Sequence, residues 1–134
     1  MKLSTLLGTA ALLAPFLAQA ATTPVEQEPP AYQSSLANYR CEGGVAVQAA
    51  YLNIENGASF ATLYYKGQLI PMHIARSGSG ALYVADDEQN SYRWHTKGDT
   101  GVLSFLEADH TAKEQQLLKA CKEQPVEEQP LQEK

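Results

Sequence analysis

Short segments of alternating apolar and polar residues, separated by turn residues every 8 to 12 positions, constrain this chain more than any other feature. In residues 45–51, Val, Val, Ala and Tyr share one face, and in residues 60–65 both faces alternate before Lys66 and Gly67 supply a tight turn. The pattern predicts an all-β antiparallel sandwich or small barrel. Pro71 cannot donate to a ladder, so its strand is predicted to be an edge or to carry a bulge.

The first twenty residues have the organisation of a secretory signal peptide. Lys2 supplies the positive start, residues 3–17 are mostly apolar, and the sequence AQA at 18–20 carries small residues at the −3 and −1 positions of a cleavage site. We therefore expect cleavage after Ala20 and export to the periplasm. The apolar run is too short and too interrupted for a stable membrane span, and no cysteine follows it that could carry a lipid anchor.

Charge narrows the set of partners. Removal of residues 1–20 takes away one lysine and no acid, so the formal charge changes from −5 to −6. Nucleic acids and anionic membranes bind clustered Lys and Arg. The acidic balance therefore argues against both of these partners and favours a basic one.

Two cysteines, Cys41 and Cys121, remain in the exported chain. In an oxidising compartment an even pair predicts one disulfide. A closed loop of about 80 residues would stabilise the fold by roughly 4 to 5 kcal/mol in the chain-entropy model. The CxxC spacing of a redox or metal site is absent, so the predicted role of the pair is structural.

Composition divides the exported chain into a body and two tails. Residues 21–35 and 123–134 are rich in Pro, Glu and Gln, with too little apolar content to offset the entropy of ordering. We expect both to be flexible, on either side of one domain at residues 36–122. Residues 111–120 favour helix by composition, but we expect a strand at 116–121 because the disulfide would pin it. A helical turn at 111–114 is left open.

Candidate catalytic and ligand-binding patterns are weak. His73, His95 and His110 lack metal-ligand spacing. Ser79, His95 and Asp99 could form a Ser/His/Asp site, but a nucleophile elbow needs G-x-S-x-G and a serine stands at the first glycine. The SGSG stretch precedes neither a helix nor a Walker lysine, so it does not predict a phosphate site. We predict no enzyme activity, no metal and no cofactor.

The stretch RSGSGALY, residues 76–83, interrupts the alternation. Gly78 and Gly80 remove side-chain bulk and permit positive φ, so the backbone can turn sharply and let another surface come close. Such a loop either closes a hairpin or enters a partner. Composition leaves both alternatives open.

Four sequence elements occur in one order along the folded body. They are YRCEGG at 39–44 followed by a V-x-V strand, SGSGALY at 77–83, WHTKGD at 94–99, and Cys121 near the end. Together they resemble the bacterial inhibitors of c-type lysozyme, the MliC/PliC family, and the missing lipidated cysteine resembles the periplasmic branch. The resemblance implies a closed antiparallel barrel of about eight strands, a Cys41–Cys121 disulfide, and inhibition of a host c-type lysozyme by a loop that plugs its cleft.

The resemblance also implies the residues that bind lysozyme, whose cleft contains one protonated and one ionised carboxyl group. Two glycines thin the plug, a serine hydroxyl bonds to the carboxyl groups, and a lysine ammonium neutralises the ionised one. A second serine and a tyrosine shape and anchor the loop, and a third glycine turns the lysine toward it. The implied set is Ser77, Gly78, Ser79, Gly80, Tyr83, Lys97 and Gly98.

Some alternatives stay open at this level. The segment between Tyr83 and Trp94 is longer than the family spacing, which leaves open where Lys97 lies relative to the loop. A small-ligand carrier is the second functional hypothesis, because an eight-stranded barrel can enclose a cavity, and an envelope interaction protein is the third. A carrier would leave its interior empty, whereas a plug protein would fill it. A homodimer through an exposed edge strand is also left open.

Overall fold

The computed structural model describes residues 8, 10–15, 18–24, 27–109 and 111–125, which contain eight strands closed into an antiparallel barrel. Each strand pairs with the next along the chain, and the last pairs with the first. This confirms the predicted fold class. The strands are β1 (Tyr32–Arg40), β2 (Ala46–Ile54), β3 (Ser59–Tyr65), β4 (Gln68–Ala75), β5 (Ala81–Ala85), β6 (Asn90–Lys97), β7 (Thr100–Glu107) and β8 (Gln115–Gln124), and a 3-10 turn at Glu42–Gly44 lies between β1 and β2.

The period-2 pattern of the sequence becomes the inside and the outside of the barrel. In β3, Ala61, Leu63 and Tyr65 are buried, whereas Phe60 and Tyr64 on the opposite face are exposed. Because successive side chains of a strand point to opposite faces, the buried apolar side chains share the inward face and fill the core. The apolar core consists of Ala37, Tyr39, Cys41, Val47, Ala49, Ala61, Leu63, Tyr65, Ile70, Met72, Tyr83, Ala85, Trp94, Leu103, Leu118 and Cys121.

A chain of aromatic side chains crosses the interior and uses its polar atoms. Trp94 Nε1 donates to the Tyr51 hydroxyl at 2.8 Å, and this hydroxyl lies 3.0 Å from that of Tyr39. Burial raises the pKa of Tyr51, so the hydroxyl stays protonated and can donate as well as accept. Trp94 is 0% exposed and its ring lies against Gly101, where an added Cβ would come within 2.5 Å of Cζ2. The glycine therefore makes room for the tryptophan.

The disulfide lies at the seam where the barrel closes. The ladder of β1 with β8 has only three pairs, from Asn38↔Gln124 to Arg40↔Lys122, whereas β1 and β2 share nine. Cys41 follows directly after β1 and is bonded to Cys121 in β8, which confirms the predicted pairing. A covalent bond thus reinforces the shortest ladder of the barrel.

The prediction for Pro71 is wrong, because β4 lies between β3 and β5 without a register shift on either side. The carbonyl of Pro71 accepts from the Asp86 amide at 3.0 Å, just past Ala85 at the end of β5. In an antiparallel strand the N–H and C=O of one residue point to the same side. The missing N–H therefore faces Asp86, so the one ladder bond that the proline removes lies just past the end of β5.

The strands extend beyond the predicted body at both ends. Tyr32, predicted to lie in a flexible segment, starts β1 and pairs with Ile54, and β8 runs to Gln124. This long register compensates for a composition that is poor in apolar residues. Residues 116–121 are strand as predicted, and a turn at Thr111 is followed by irregular backbone up to β8 instead of a helical turn. The tail from residue 126 and much of the predicted signal peptide lie outside the described residues.

Candidate functional site

The loop between β4 and β5 is exposed and tied by hydrogen bonds to its own carbonyl. The Ser77 hydroxyl donates to the Ser79 carbonyl oxygen at 2.7 Å. His95 of β6 reaches the same oxygen, with Nε2 at 2.8 Å, and lies 3.3 Å from Ser77 Oγ. Two donors on one acceptor hold the turn at Ser79, while the side chain of Ser79 itself is exposed.

The two glycines of the loop differ in whether the fold requires a residue without a side chain. Gly80 has φ of +67°, and an added Cβ would overlap the carbonyl oxygen of Thr96. Only a residue without a side chain allows the loop to lie this close to β6. Gly78 was expected to share this conformation, but its φ is not positive and an added Cβ would meet nothing within 4 Å. The protein's own fold does not require glycine there.

The strand register brings the second predicted element beside the loop. Ala81 pairs with Thr96, so Gly80 lies next to Lys97 at the end of β6. An added Cβ at Gly80 would lie 3.3 Å from Lys97 Cβ. Gly98 then turns the chain with φ of +60°, and the Thr100 hydroxyl donates to the Lys97 carbonyl at 2.8 Å. Ser77–Gly80 and Lys97–Gly98 together form one surface, which we call the loop end.

The long segment between Tyr83 and Trp94 does not displace Lys97. Tyr83 and Trp94 are a cross-strand pair, so the residues between them form the β5–β6 hairpin and its turn at the opposite end of these strands. Lys97 is positioned by its own pairing with Thr100 and by the pairing of Thr96 with Ala81.

Tyr83 differs from the other predicted site residues because its side chain points into the barrel. It is 5% exposed, and its ring centroid lies 5.6 Å from that of Tyr51. Burial raises the pKa of its hydroxyl. A buried ring supports the start of β5 from below, which fits an anchoring role.

The charged side chains around the loop end differ in their ion pairing. Lys122 pairs with Asp99 at 2.5 Å, and this hydrogen bond, together with the ammonium charge, lowers the pKa of Asp99. Lys97 has no ion pair within the described part of the chain, and its side chain is exposed. The ammonium of Lys97 is therefore available to a partner.

No catalytic triad is assembled from the serine, histidine and aspartate that the sequence offers. His95 contacts the main-chain carbonyl of Ser79, and Asp99 is engaged by Lys122. His73 bonds to Asp86 at 2.6 Å, just past the end of β5 that lies away from the loop, and His110 lies outside the described residues. Among the residues that the structure describes, no three metal-ligating side chains cluster, and no helix is long and apolar enough to span a membrane.

Comparison with known proteins finds a matching family and a similar solved structure. A family model described as a membrane-bound lysozyme-inhibitor of c-type lysozyme, MliC, matches residues 39–112, more than half of the chain. The chain belongs to the MliC family. Among solved structures it is similar to PliC-St, the periplasmic lysozyme inhibitor of C-type lysozyme from Salmonella typhimurium. A comparison with curated proteins finds no match.

The extent of the two matches agrees with the fold. The identity to PliC-St is 29%, the TM-score is 0.58, and the alignment covers 69% of this chain and 100% of that chain. The MliC match contains the whole loop end but stops before β8. Cys121 therefore lies outside the matched residues, and its pairing with Cys41 is given by the structure.

Sequence reasoning did not include His95 among the predicted binding residues, although its imidazole contacts the loop end. The sequence marks it as a histidine without metal-ligand spacing, and in the structure it lies on the outer face of β6. No spacing rule marks it, because its contact with Ser79 depends on the register of β5 with β6. The only available signal was its place two residues before Lys97, which puts both side chains on one face of a strand.

Proposed function

We propose that this protein inhibits a host c-type lysozyme in the periplasm, without catalysing a reaction, by inserting the loop end into the active-site cleft. Membership of the MliC family and the likeness to a periplasmic lysozyme inhibitor support the role. The observation that carries the mechanism is the Ala81↔Thr96 register, since it sets the small-residue loop and Lys97 side by side.

The chemistry of the loop end matches that of the cleft. Lysozyme cleaves sugar between two carboxyl groups, of which one is protonated and the other ionised. The exposed hydroxyl of Ser79 can donate to one carboxyl group and accept from the other. The unpaired ammonium of Lys97 can neutralise the ionised group. Gly78, with open space where a side chain would be, keeps the tip of the loop thin.

The remaining predicted residues prepare this surface. Ser77 fixes the Ser79 carbonyl, Gly80 allows the close approach to β6, and Gly98 turns the chain after Lys97. Tyr83 supports the loop from within the core. A loop that is already held in its binding shape loses little conformational entropy on binding, which favours affinity.

A surface cleft elsewhere on the barrel does not compete with this proposal. It has a volume of about 620 Å³, and its lining, which includes Asn38, Gln48 and Tyr64, contains no residue of the loop end. A protein that plugs a cleft in its partner needs a thin projecting surface, and it needs no cleft of its own.

The filled interior speaks against a small-ligand carrier. Trp94, Leu63 and Leu103 are each 0% exposed, and the hydrogen bonds of the Trp94, Tyr51 and Tyr39 side chains occupy the middle of the barrel. A ligand would have to displace these side chains. Every described strand has a neighbour on both sides, so the only edge left for a homodimer in the described residues is the part of β1 and β8 outside their three shared pairs.

Charge and location fit the same partner. C-type lysozymes are basic, and the chain without residues 1–20 has a formal charge of −6, so opposite charges favour the encounter. The predicted signal peptide and its cleavage after Ala20 would deliver the protein to the compartment where an invading lysozyme meets the cell wall.

The test is a cell-wall lysis assay with hen lysozyme and the purified chain that begins at Ala21. We expect inhibition by the parent, and Ser79→Ala should raise the inhibition constant roughly 5- to 100-fold because the carboxyl groups lose a partner in a dry cleft. Ser34→Ala is the matched control, since Ser34 is an exposed serine on the outer wall of β1. If folded Ser79→Ala inhibits like Ser34→Ala, the loop is not the plug.

A further inference from the structure

The carbonyl oxygen of Ser79 is the point on which the shape of the loop depends. It accepts from Ser77 Oγ at 2.7 Å and lies 2.8 Å from His95 Nε2. The first bond is internal to the loop and can move with it. The bond to His95 is different, because it joins the loop to a paired strand of the barrel.

The chemistry of the acceptor decides which imidazole nitrogen carries the hydrogen. A carbonyl oxygen can only accept, so Nε2 must be the donor, and the neutral ring is then the Nε2–H tautomer. Ser77 Oγ, at 3.3 Å from Nε2, lies near enough to share this hydrogen. The ring is flanked across the strands by Leu82 and Val102, which are its partners in β5 and β7.

We propose that His95 is a positioning residue that holds the Ser77–Gly80 loop in its binding shape through the Nε2–H bond to the Ser79 carbonyl. The inference rests on the proposed function, because it assumes that this loop enters the lysozyme cleft. The bond would restrain an exposed loop that contains two glycines. Gly80 permits the close approach to β6, and His95 fixes it.

His95 and Lys97 follow one another on the same outward face of β6, so one strand both shapes the plug and supplies its charge. Without the imidazole, only the hydroxyl of Ser77 would restrain the turn at Ser79. The loop would then sample more conformations when free and would lose more entropy on binding.

The experiment compares His95→Ala, His95→Gln and His73→Ala in the full exported chain. Gln can place an amide N–H donor near the position of Nε2, whereas Ala cannot. His73 is the matched control, an exposed histidine that bonds to Asp86 away from the loop. Two properties are measured for each folded variant: NMR order parameters of the amides of residues 77–80 without lysozyme, and the inhibition constant with hen lysozyme.

We expect the order parameters of the loop to fall from about 0.85 toward 0.6 in His95→Ala, and its inhibition constant to rise about tenfold, the worth of one hydrogen bond. His95→Gln should recover most of both properties, and His73→Ala should change neither. In the parent, the ¹⁵N shifts of the neutral His95 ring should show the Nε2–H tautomer.

The two measurements separate this inference from the proposed function. A loop that is as ordered in His95→Ala as in the parent would overturn the positioning role, whatever lysozyme does. The same holds if His95→Gln loosens the loop as much as His95→Ala. If the loop loosens as expected while neither His95→Ala nor Ser79→Ala changes inhibition, His95 does hold the loop, and the proposed plug is what fails.

Discussion

Two glycines of this barrel face the same steric problem in opposite surroundings. Gly101 lies under the buried ring of Trp94, and Gly80 lies against the exposed edge of the loop, where an added Cβ would meet the carbonyl of Thr96. At Gly101 the absent side chain makes room for the core. At Gly80 it lets a loop approach a strand. The interior should therefore control stability, and the loop end should control binding.

The interior and the loop end are nevertheless connected, because the same strands contribute residues to both. Trp94 and Lys97 belong to the same strand, β6, and Gly80 directly precedes β5, whose third residue is Tyr83. The side chains that point inward fix these strands, and the residues at their ends form the loop end. Stability and binding thus depend on different side chains of the same strands. Substitutions can test whether a change in one property leaves the other unchanged.

The largest effect should come from the interior seam. Removing the disulfide with Cys41→Ala and Cys121→Ala frees the ends of a loop that spans 80 residues in sequence, which should lower the free energy of unfolding by about 4 to 5 kcal/mol in the chain-entropy model. Chemical denaturation of the exported chain measures this loss. At a temperature where the variant is still folded, its inhibition constant should match that of the parent; a large change would show that seam and loop end are coupled.

The second test exchanges the two glycines for valine. Gly101→Val forces a side chain against Trp94 and should lower the free energy of unfolding by about 3 kcal/mol. Gly80→Val places a β-branched residue at positive φ and against the Thr96 carbonyl, but the exposed loop can shift away, so it should cost less stability, about 1 to 2 kcal/mol. It should, however, raise the inhibition constant more than tenfold. Denaturation and lysis assays on both variants give the comparison, and equal effects on inhibition would contradict it.

A third test concerns charge at the loop end. Lys97→Ala should weaken binding by about 2 kcal/mol, because the ionised carboxylate in the cleft would lose its counter-charge in a dry site. Lys66→Ala is the matched control, as Lys66 is an exposed lysine in the β3–β4 turn and packs over the ring of Tyr65. Both variants remove one positive charge, so long-range steering changes equally. Equal inhibition by the two variants would place Lys97 at the rim of the interface.

Much of the fold could be predicted because alternation is a local property. The inward set of β3 and the turn at Lys66 and Gly67 follow from residue type alone, and Lys66 and Gly67 do adopt positive φ. Pro71 was misjudged because its missing N–H matters only relative to where β5 ends, and the end of a neighbouring strand is not a local property. The start of β1 was missed for the same reason, since Tyr32 is held by pairing with Ile54.

The residues of the candidate site also differ in whether local sequence could predict them. Ser79, Gly80 and Lys97 could be named from sequence because they lie in short motifs, and the register supports grouping them. His95 could not, because its bond to the Ser79 carbonyl joins residues 16 positions apart. Gly78 looked equivalent to Gly80 in sequence, yet only Gly80 has positive φ and a crowded Cβ position. Residue type predicts a loop, and the register of the paired strands determines which of its residues are constrained.

The smallest expected effect lies where the two regions meet, at the pairing of Asp99 with Lys122. The hydrogen bond from Lys122 is the largest cause of the lowered pKa of Asp99, and the ammonium charge adds to it. A carboxyl group with a lowered pKa stabilises the fold at pH values above its ordinary pKa of 3.8, and this contribution is lost as the pH falls through the lowered pKa.

Because the pair is exposed, Asp99→Asn should reduce stability only slightly at pH 7. The variant should also lose the part of the pH dependence that belongs to this pair below about pH 4, and 1 M salt should erase the difference from the parent. Denaturation from pH 2 to 7 at low and high salt measures it. A large loss at pH 7 would mean that this exposed pair, and not the interior, holds β6, β7 and β8 together.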